Sequence, residues 1–294
     1  MENSRSRQSD FQQMKVEPSE AYGTNVVSFF ANFGGAIRDN IKTIGKNVFG
    51  GEKNLSPAKT PSNLEKLLQS WRENPEWTDS SPNLNVTLPH LSQLPSSSPS
   101  VFSQVTVPEG SLCNLRLSFP VGLPPEAVYD IITNPGNKRV FKNLKEVVSR
   151  TVVLEEDGRE IVELEQAAIW KFLFWSGTFS VFVLVDQNRK NCSMKFTQMK
   201  SGFMERFEGC WKIEPLFVDE RVCRSKPQTL EEYDECSKGA GRVGSMVTLE
   251  QLVQPSVVPP PPISWYLRGI TKRTTEMIVT DLLEETRKIR EGHM

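Results

Sequence analysis

The sequence predicts an α+β protein in which an antiparallel sheet of about seven strands packs against a long C-terminal helix. Between residues 112 and 253, apolar and polar residues alternate with the two-residue period of strands, and turn residues separate the runs. Residues 263–289 then change to a helical period of three and four residues. Most of the N-terminal third is polar or rich in serine and proline, so we expect it to be largely disordered.

The composition predicts a soluble protein of a reducing, cytoplasmic compartment. A hydrophobic content of 37% with 20 prolines is typical of a chain that folds only in part. The 35 basic and 36 acidic residues balance, so we expect no nucleic acid as a partner. No apolar run reaches the roughly 20 residues of a membrane-spanning helix. Five scattered cysteines without a secretory signal pattern predict free thiols.

The N-terminal residues divide into two predicted segments. Residues 1–24 are aperiodic and predicted to be disordered. Residues 25–49 are an amphipathic helix candidate, although Gly34 and Gly35 weaken it. Such a helix would dock on the folded domain or a partner, or it would lie on a membrane with its basic residues facing lipid phosphates. Disorder of this segment is the third alternative.

Residues 50–108 read as a linker because a Ser/Pro-rich chain buries too little apolar surface to offset its entropy. A short helix is predicted within it at residues 63–72, where Ser62 and Glu65 have the spacing of a capping box.

The folded domain is predicted to span residues 111–290. A strand around residues 113–119 precedes a helix at residues 126–133, which two prolines introduce and Asn134-Pro135 ends. A second short helix is predicted at residues 138–144. Further strands are predicted at residues 147–155, 159–170, 171–185, 192–199, 203–215 and 245–253. The insertion 218–244 is long for a loop, so it is either disordered or a lid over a cavity.

The long C-terminal helix follows the four prolines 259–262, which form a rigid start. Its predicted apolar stripe must be buried against the sheet. This stripe consists of Ile263, Leu267, Ile270, Met277, Ile278, Leu282 and Ile289.

The segment FPVGLPPEAVYDIITNPGNKRVFKNL (119–144) and the run WKFLFW (170–175) resemble a plant family known as a domain of unknown function, DUF220. Over about residues 111–290, the order of elements also resembles the helix-grip fold of the START-like superfamily, which includes lipid-transfer domains and polyketide cyclases. The resemblance implies a curved sheet wrapped around the terminal helix, with a cavity for an apolar ligand between them. It implies no particular chemistry, because one fold hosts many functions.

Alternation along the strands and the helical stripe predict which side chains line that interior. Large aromatic side chains there would either fill the space or line a usable cavity. The predicted ligand-binding residues are Val162, Leu164, Gln166, Trp170, Phe172, Phe182, Met194, Phe196, Phe207 and Trp211 on the sheet, and Leu267, Ile270, Met277 and Ile278 on the helix. Gln166 and Gln198 would either orient a polar group of the ligand or bond the backbone.

Several motifs for catalysis or cofactors are weak. His90 lies in the linker and His293 next to the C-terminus, so no scaffold holds a histidine base for a nucleophile. No metal-binding spacing occurs, and we expect no cofactor. Residues 239–244 match Gly-x-Gly-x-x-Gly, but an acidic loop precedes them and a strand follows, so we expect a flexible loop end. Cys223 and Cys236 are either isolated loop thiols or redox partners.

Charged residues give no acid–base pair. Glu163 and Glu165 share the face opposite the predicted interior, where we expect them to be solvated. A basic cluster near the first helices is either a solvated surface or a contact with anionic lipid head groups. It contains Lys138, Arg139, Lys142 and Lys145.

The sequence leaves three functions, in order of preference. The first is non-enzymatic binding or transport of a lipid or other hydrophobic small molecule beneath the terminal helix. The second is an interaction protein with a vestigial cavity, whose N-terminal segment recruits partners. The third is an enzyme of the polyketide-cyclase type, for which Gln166, Gln198 and Arg206 are poor general bases.

Overall fold

A computed structural model of the chain describes residues 62–81, 101–172, 175–200 and 204–292, with the side chains of Ser62 and of residues 168–179 outside the description. All described residues belong to one compact unit, Gly51–Met294. Three predictions concern residues outside the described ones. They are the disorder of residues 1–24, the amphipathic helix candidate 25–49 and most of the linker before residue 101.

The described elements comprise helices and strands in an α+β order. The helices are α1 (Ser62–Glu73), α2 (Pro125–Thr133), α3 (Leu230–Cys236) and α4 (Ile263–Arg290). The strands are β1 (Phe102–Thr106), β2 (Cys113–Val121), β3 (Leu144–Glu156), β4 (Arg159–Phe172), β5 (Trp175–Asn188), β6 (Ser193–Gln198), β7 (Met204–Phe217) and β8 (Val243–Pro255). Two 3-10 turns occur at Asn137–Arg139 and Glu220–Val222.

The strands form one antiparallel sheet in the order β1-β2-β8-β7-β6-β5-β4-β3. Strands β3 to β7 pair with their neighbours in sequence. Strand β8 pairs with both β7 and β2 and so joins the hairpin of β1 and β2 to the strands β3 to β7. Register shifts interrupt β3 and β7, and such bulges bend and twist a sheet. The predicted fold class, an antiparallel sheet with a long C-terminal helix, is confirmed.

The described sheet has eight strands because β1 lies within the stretch predicted to be linker. Phe102 to Thr106 pair with β2, but Val105 packs on the core while Phe102 is exposed. A five-residue edge strand with one inward apolar residue has too little alternation to be recognised from sequence.

The main hydrophobic core lies between one face of the sheet, here called the inner face, and helices α2 and α4. Prolines begin α2 without loss, because the backbone N–H that proline lacks has no partner in the first turn of a helix anyway. The core includes Leu117, Phe119, Val128, Ile132, Trp211, Ile213, Val247, Leu249, Val279, Leu282 and Leu283.

Helix α4 begins and ends almost where the sequence predicts, but its buried face is rotated from the predicted stripe. Met277 is 42% exposed, and of the predicted stripe only Leu282 is buried. The buried side chains are Ser264, Thr275, Val279, Asp281, Leu282, Leu283, Thr286 and Arg290. Thr275 donates its hydroxyl hydrogen to the Thr271 carbonyl at 3.0 Å, so it can be buried without an unpaired polar group. Hydrophobicity alone therefore misplaces this face.

Helix α1 occupies the position of the predicted short helix and is part of the folded unit. The Trp71 side chain is completely buried and donates from its indole Nε1 to the Val243 carbonyl at 2.8 Å. The guanidinium groups of Arg242 and Arg290 lie 5.2 Å and 5.9 Å from the Trp71 ring centroid. Arg290 also pairs with Asp79 at 3.0 Å. Residues 62–81 thus pack on the domain instead of linking to it.

The insertion 218–244 has its own structure, which the sequence did not predict. It contains α3, and a disulfide joins Cys223 to Cys236, so the expectation of free loop thiols is wrong for these two residues. Tyr233 is buried against Leu67 and Val243. A Cβ atom on Gly241 would lie 2.5 Å from the Tyr233 ring, so this glycine of the Gly-x-Gly-x-x-Gly match allows close packing.

The second short helix predicted at residues 138–144 is reduced to the 3-10 turn Asn137–Arg139. The Asn137 amide donates to the Ile132 carbonyl at 3.0 Å, which ties this turn to the end of α2. Strand β3 then begins at Leu144, so the space for a helix is only one turn.

Candidate ligand site

The strand register places most of the predicted interior residues on the inner face. Residues directly opposite each other on neighbouring strands share a face. Val162 pairs with Val185, which pairs with Phe196, and Met194 pairs with Trp211 of the main core. By this alternation the predicted residues on the inner face are Val162, Leu164, Gln166, Met194, Phe196, Phe207 and Trp211.

These inner-face residues are not all buried. Val162 and Trp211 are fully buried, whereas Leu164, Met194, Phe196 and Phe207 are only half-buried. From α4, Ile278 packs on the cluster that includes Phe196, and Leu267 packs on the cluster that includes Phe207. Leu267, Ile270 and Ile278 are also half-buried. The aromatic rings in the middle of the sheet therefore keep accessible apolar surface.

Phe196 and Phe207 form the aromatic centre of this face, with ring centroids 5.2 Å apart and planes 40° apart. Gly209 lies directly opposite Phe196. A Cβ atom there would lie 2.6 Å from the Phe196 ring and 2.3 Å from the Glu250 carbonyl oxygen. Gly209 thus lets the Phe196 ring lie across β7. The sequence signal for this role is a glycine inside an otherwise regular strand pattern.

One amide at the inner face has an unused acceptor. The Gln198 side chain pairs across the sheet with Val183 and donates from Nε2 to the carbonyls of Lys200 and Met204. Its Oε1 is buried and has no hydrogen-bond partner among the described residues. The Gln198 amide NH₂ therefore bonds the backbone, which is one of the two predicted alternatives. Its amide oxygen remains available as an acceptor.

The structure contradicts two further placements and leaves two undescribed. Phe182 pairs with Glu165 and so lies on the face opposite Leu164. Its neighbours Val183 and Val185 hold the inward positions of β5, and apolar character alone did not reveal this phase. Glu165 is 5% exposed, so the expectation that it is solvated is wrong. The side chains of Trp170 and Phe172 lie outside the described ones.

A small pocket lies elsewhere, between α1 and α3. Its volume is about 130 Å³, and Lys66, Ser70, Tyr233 and Asp234 are among its lining residues. Sites for small molecules typically have volumes of about 300–1,000 Å³. Lys66 and Asp234 form an ion pair at 2.9 Å beside it, so this pocket is a packing gap between two docked helices.

The buried thiols of Cys113 and Cys192 are weakly reactive. Burial raises the pKa of Cys113 to about 11, although Arg268 opposes the shift. Burial likewise raises the pKa of Cys192 to about 11. Both groups are therefore protonated near neutral pH and are weak nucleophiles. Among the described side chains, no group of three or more His, Cys, Asp or Glu is arranged to hold a metal ion. His90 and His293 lie outside the described residues.

The predicted basic cluster is divided by the fold. Lys142 is 2.8 Å from Glu284 and 3.1 Å from Asp281, and these hydrogen bonds raise its pKa. Lys138, Arg139 and Lys145 are exposed. One of the four cations thus ties the start of β3 to α4.

The sheet and the C-terminal helix together define the class of protein. An antiparallel sheet whose apolar inner face holds one long C-terminal helix is an α+β protein of the helix-grip type. In the part of the chain that the structure describes, no helix is both long and apolar enough to cross a membrane.

The chain belongs to the family described as Domain of unknown function DUF220, whose model matches residues 103–292. The matched region begins within β1 and ends just after α4, so α1 and Trp71 lie before it. Among curated proteins, no match was found.

Solved structures similar to this chain include a STAR-related lipid transfer protein (fragment 25–204) from Xanthomonas axonopodis, at 13% identity and a TM-score of 0.40, covering 65% of this chain and 96% of that one. The Zhui aromatase/cyclase from Streptomyces sp. R1128 is 14% identical with a TM-score of 0.39, covering 60% and 93%. A START superfamily protein from Mycobacterium smegmatis is 9% identical with a TM-score of 0.38, covering 60% and 97%.

Proposed function

We propose that the protein binds a lipid or another apolar small molecule between the inner face of the sheet and α4. The observation that supports this most is the half-buried state of Leu164, Met194, Phe196 and Phe207 at the centre of the fold. Covering apolar surface contributes about 25 cal/mol per Å². An apolar ligand that covers these four side chains would therefore gain binding free energy without rearranging the core around Trp211.

The ligand class can be narrowed by Gln198. Its buried Oε1 lacks a partner among the described residues, and an unpaired buried acceptor costs about 1–3 kcal/mol. A hydroxyl or N–H group on the ligand would satisfy this oxygen. We therefore propose a mainly apolar molecule with one hydrogen-bond donor, which is oriented toward Gln198 at the end of β6.

We propose binding without catalysis because the described reactive groups of the inner face are neutral or paired. Cys113 is held neutral near pH 7 by its raised pKa. Glu160 accepts a hydrogen bond from the Arg150 guanidinium at 2.6 Å, so it is a poor proton acceptor for a substrate. Gln166 and Gln198 have no proton to exchange near neutral pH.

The test uses two leucines of similar chemistry on opposite faces. Leu164 and Leu184 lie on neighbouring strands, with Leu164 on the inner face and Leu184 opposite Glu163 on the outer face. Molecules bound to the purified full chain are extracted into organic solvent and identified by mass spectrometry. Uptake of a fluorescent fatty acid and of a fluorescent sterol by the protein is then titrated. We expect Leu164→Trp to fill the site and to weaken uptake at least about tenfold, which corresponds to about 1.4 kcal/mol.

Leu184→Trp is the matched control and should leave uptake unchanged. Wild-type protein that carries no apolar molecule and takes up neither probe would contradict the proposal. Equal loss in both variants would also contradict it, because the effect would then not depend on the inner face.

A further inference from the structure

Six of the fifteen exposed large apolar side chains of the described residues lie at one end of the sheet. β8 ends there at Pro255, opposite Met204 at the start of β7, and Val253 pairs with Cys113 at the start of β2. Residues 107–112, residues 199–200 and residues 256–262 therefore lie at the same end of the sheet. We call the exposed side chains that they and the first turn of α4 carry the end surface: Val107, Met199, Val257, Val258, Trp265 and Tyr266.

The exposure at this end is unusual for large apolar groups. Val257 is 71% exposed and Trp265 is 64% exposed. Single exposed apolar side chains are normal on a soluble protein, but six at one end of the sheet, on loops and on the first turn of α4, mark an interaction surface. The end surface combines aliphatic tips with one indole and one phenol, and such amphipathic rings are enriched at the boundary between water and lipid.

Positive charge lies at the height where lipid phosphates would be. Arg273 follows Tyr266 by seven residues on the same side of α4, which places it about 10 Å further along the axis. Arg273 and Lys200 are exposed, and Arg268 and Lys272 are half-buried nearby on α4. The exposed acidic groups at this end are Glu109 and Glu205, and Glu205 accepts a hydrogen bond from Gln254. Rings that enter a membrane surface by about 5–10 Å would bring Arg273 to the phosphates.

We propose that the end surface docks on the surface of a lipid bilayer, with Val257, Trp265 and Tyr266 among the head groups and Arg273 against the phosphates. The end surface is continuous with the inner face, because Leu267 follows Tyr266 and packs on the same core cluster as Phe207. Docking is distinct from the proposed ligand binding and can fail or succeed independently of it. It also differs from the membrane contacts expected from the sequence, residues 26–48 and the basic cluster at Lys138.

The experiment is flotation of the full chain with vesicles of phosphatidylcholine, with and without phosphatidylserine. We expect the double variant Val257→Ser/Trp265→Ala to lower the bound fraction at least about tenfold on both vesicle types, since it removes the most exposed apolar groups. Arg273→Gln should weaken binding to the phosphatidylserine vesicles several-fold and change binding to pure phosphatidylcholine little.

Val153→Ser is the matched control, because Val153 is 57% exposed but lies on the edge strand β3. It should bind vesicles like the wild type. The proposal is overturned if wild-type protein does not float, or if the double variant floats equally well. It is also overturned if wild type is a dimer by light scattering, the double variant is a monomer and neither floats, because the end surface would then bind a second copy. Ligand uptake measured without vesicles, with the Leu164 and Leu184 variants, reports separately on the interior.

Discussion

Trp71 illustrates how one side chain decides whether a segment belongs to the fold. Its ring is fully buried, and its indole nitrogen bonds the carbonyl of Val243. Replacing a buried tryptophan by alanine costs about 3–5 kcal/mol. We expect Trp71→Ala to lower the free energy of unfolding in urea by that amount, because it empties the contact between α1 and β8.

Trp265→Ala is the control for this prediction, since it removes the same chemical group from an exposed position. Its effect on the free energy of unfolding should stay within about 0.5 kcal/mol. Similar stability of the two variants would mean that α1 does not dock as described.

Helix α4 shows which features a single sequence carries. Its limits were predicted within a residue or two, because prolines begin it and the three- and four-residue period runs through it. Its orientation was predicted wrongly, because Thr275 and Thr286 are buried with hydroxyl groups satisfied by their own helix, while Met277 remains in solvent. A hydrophobic pattern cannot show that a polar side chain is already satisfied.

The sheet was easier to predict than its contacts. Side chains of a strand alternate with a period of two, so the face of Leu164 is known once the face of Val162 is known. Phe182 lies beside two inward valines, and only the pairing register shows that it is out of phase with them. The pairing of Cys223 with Cys236 depends on how the insertion folds, and spacing alone does not determine it.

The ion pair between the two ends of the insertion gives a pH-dependent prediction. Arg242 donates from its guanidinium and its backbone N–H to Asp219, at 2.8 to 3.0 Å. The side-chain hydrogen bonds lower the pKa of Asp219 below its ordinary value of 3.8. A depressed carboxyl pKa stabilises the folded state above that ordinary value, and this contribution is lost as the pH falls through the folded pKa.

Asp219→Asn should therefore reduce the free energy of unfolding near neutral pH by about 1–3 kcal/mol, because it removes the charged partner of a largely buried guanidinium. The difference from wild type should shrink as the pH falls from 3.8 through the lower pKa of the folded state, where the wild-type carboxyl also becomes neutral. Urea unfolding of both proteins near pH 7 and below pH 3.8 measures this difference in the free energy of unfolding. A difference that does not change with pH would show that charge is not the cause.

At the scale of the whole molecule, the two ends of the sheet differ. At the end where β2 finishes and β8 begins, Trp71, Arg242 and Arg290 bring together α1, the insertion and the end of α4. At the other end, α4 begins beside the exposed Val257 and Trp265. Aromatic and cationic groups close one end, and apolar loops surround the other. Under the two proposals, a ligand exchanged with a membrane would pass through the end that carries the end surface.

This arrangement predicts where the chain can be shortened. Boundaries taken from sequence alone would place the start of the domain near residue 111, but a chain without residues 1–108 loses both α1 and β1. It would expose the surface that Trp71 covers and would leave β2 without β1, whose Val105 pairs with Leu115. We expect this truncation to be insoluble or to unfold without a cooperative transition.

A chain that begins at Ser62 keeps α1, the Trp71 contacts and all eight described strands. We expect it to unfold cooperatively, with a free energy of unfolding within about 1 kcal/mol of the full chain. Circular dichroism during urea titration of both truncations and the full chain measures this. If the chain starting at residue 109 unfolds as cooperatively as the one starting at Ser62, then α1 is an appendage and Trp71 does not close that end of the sheet.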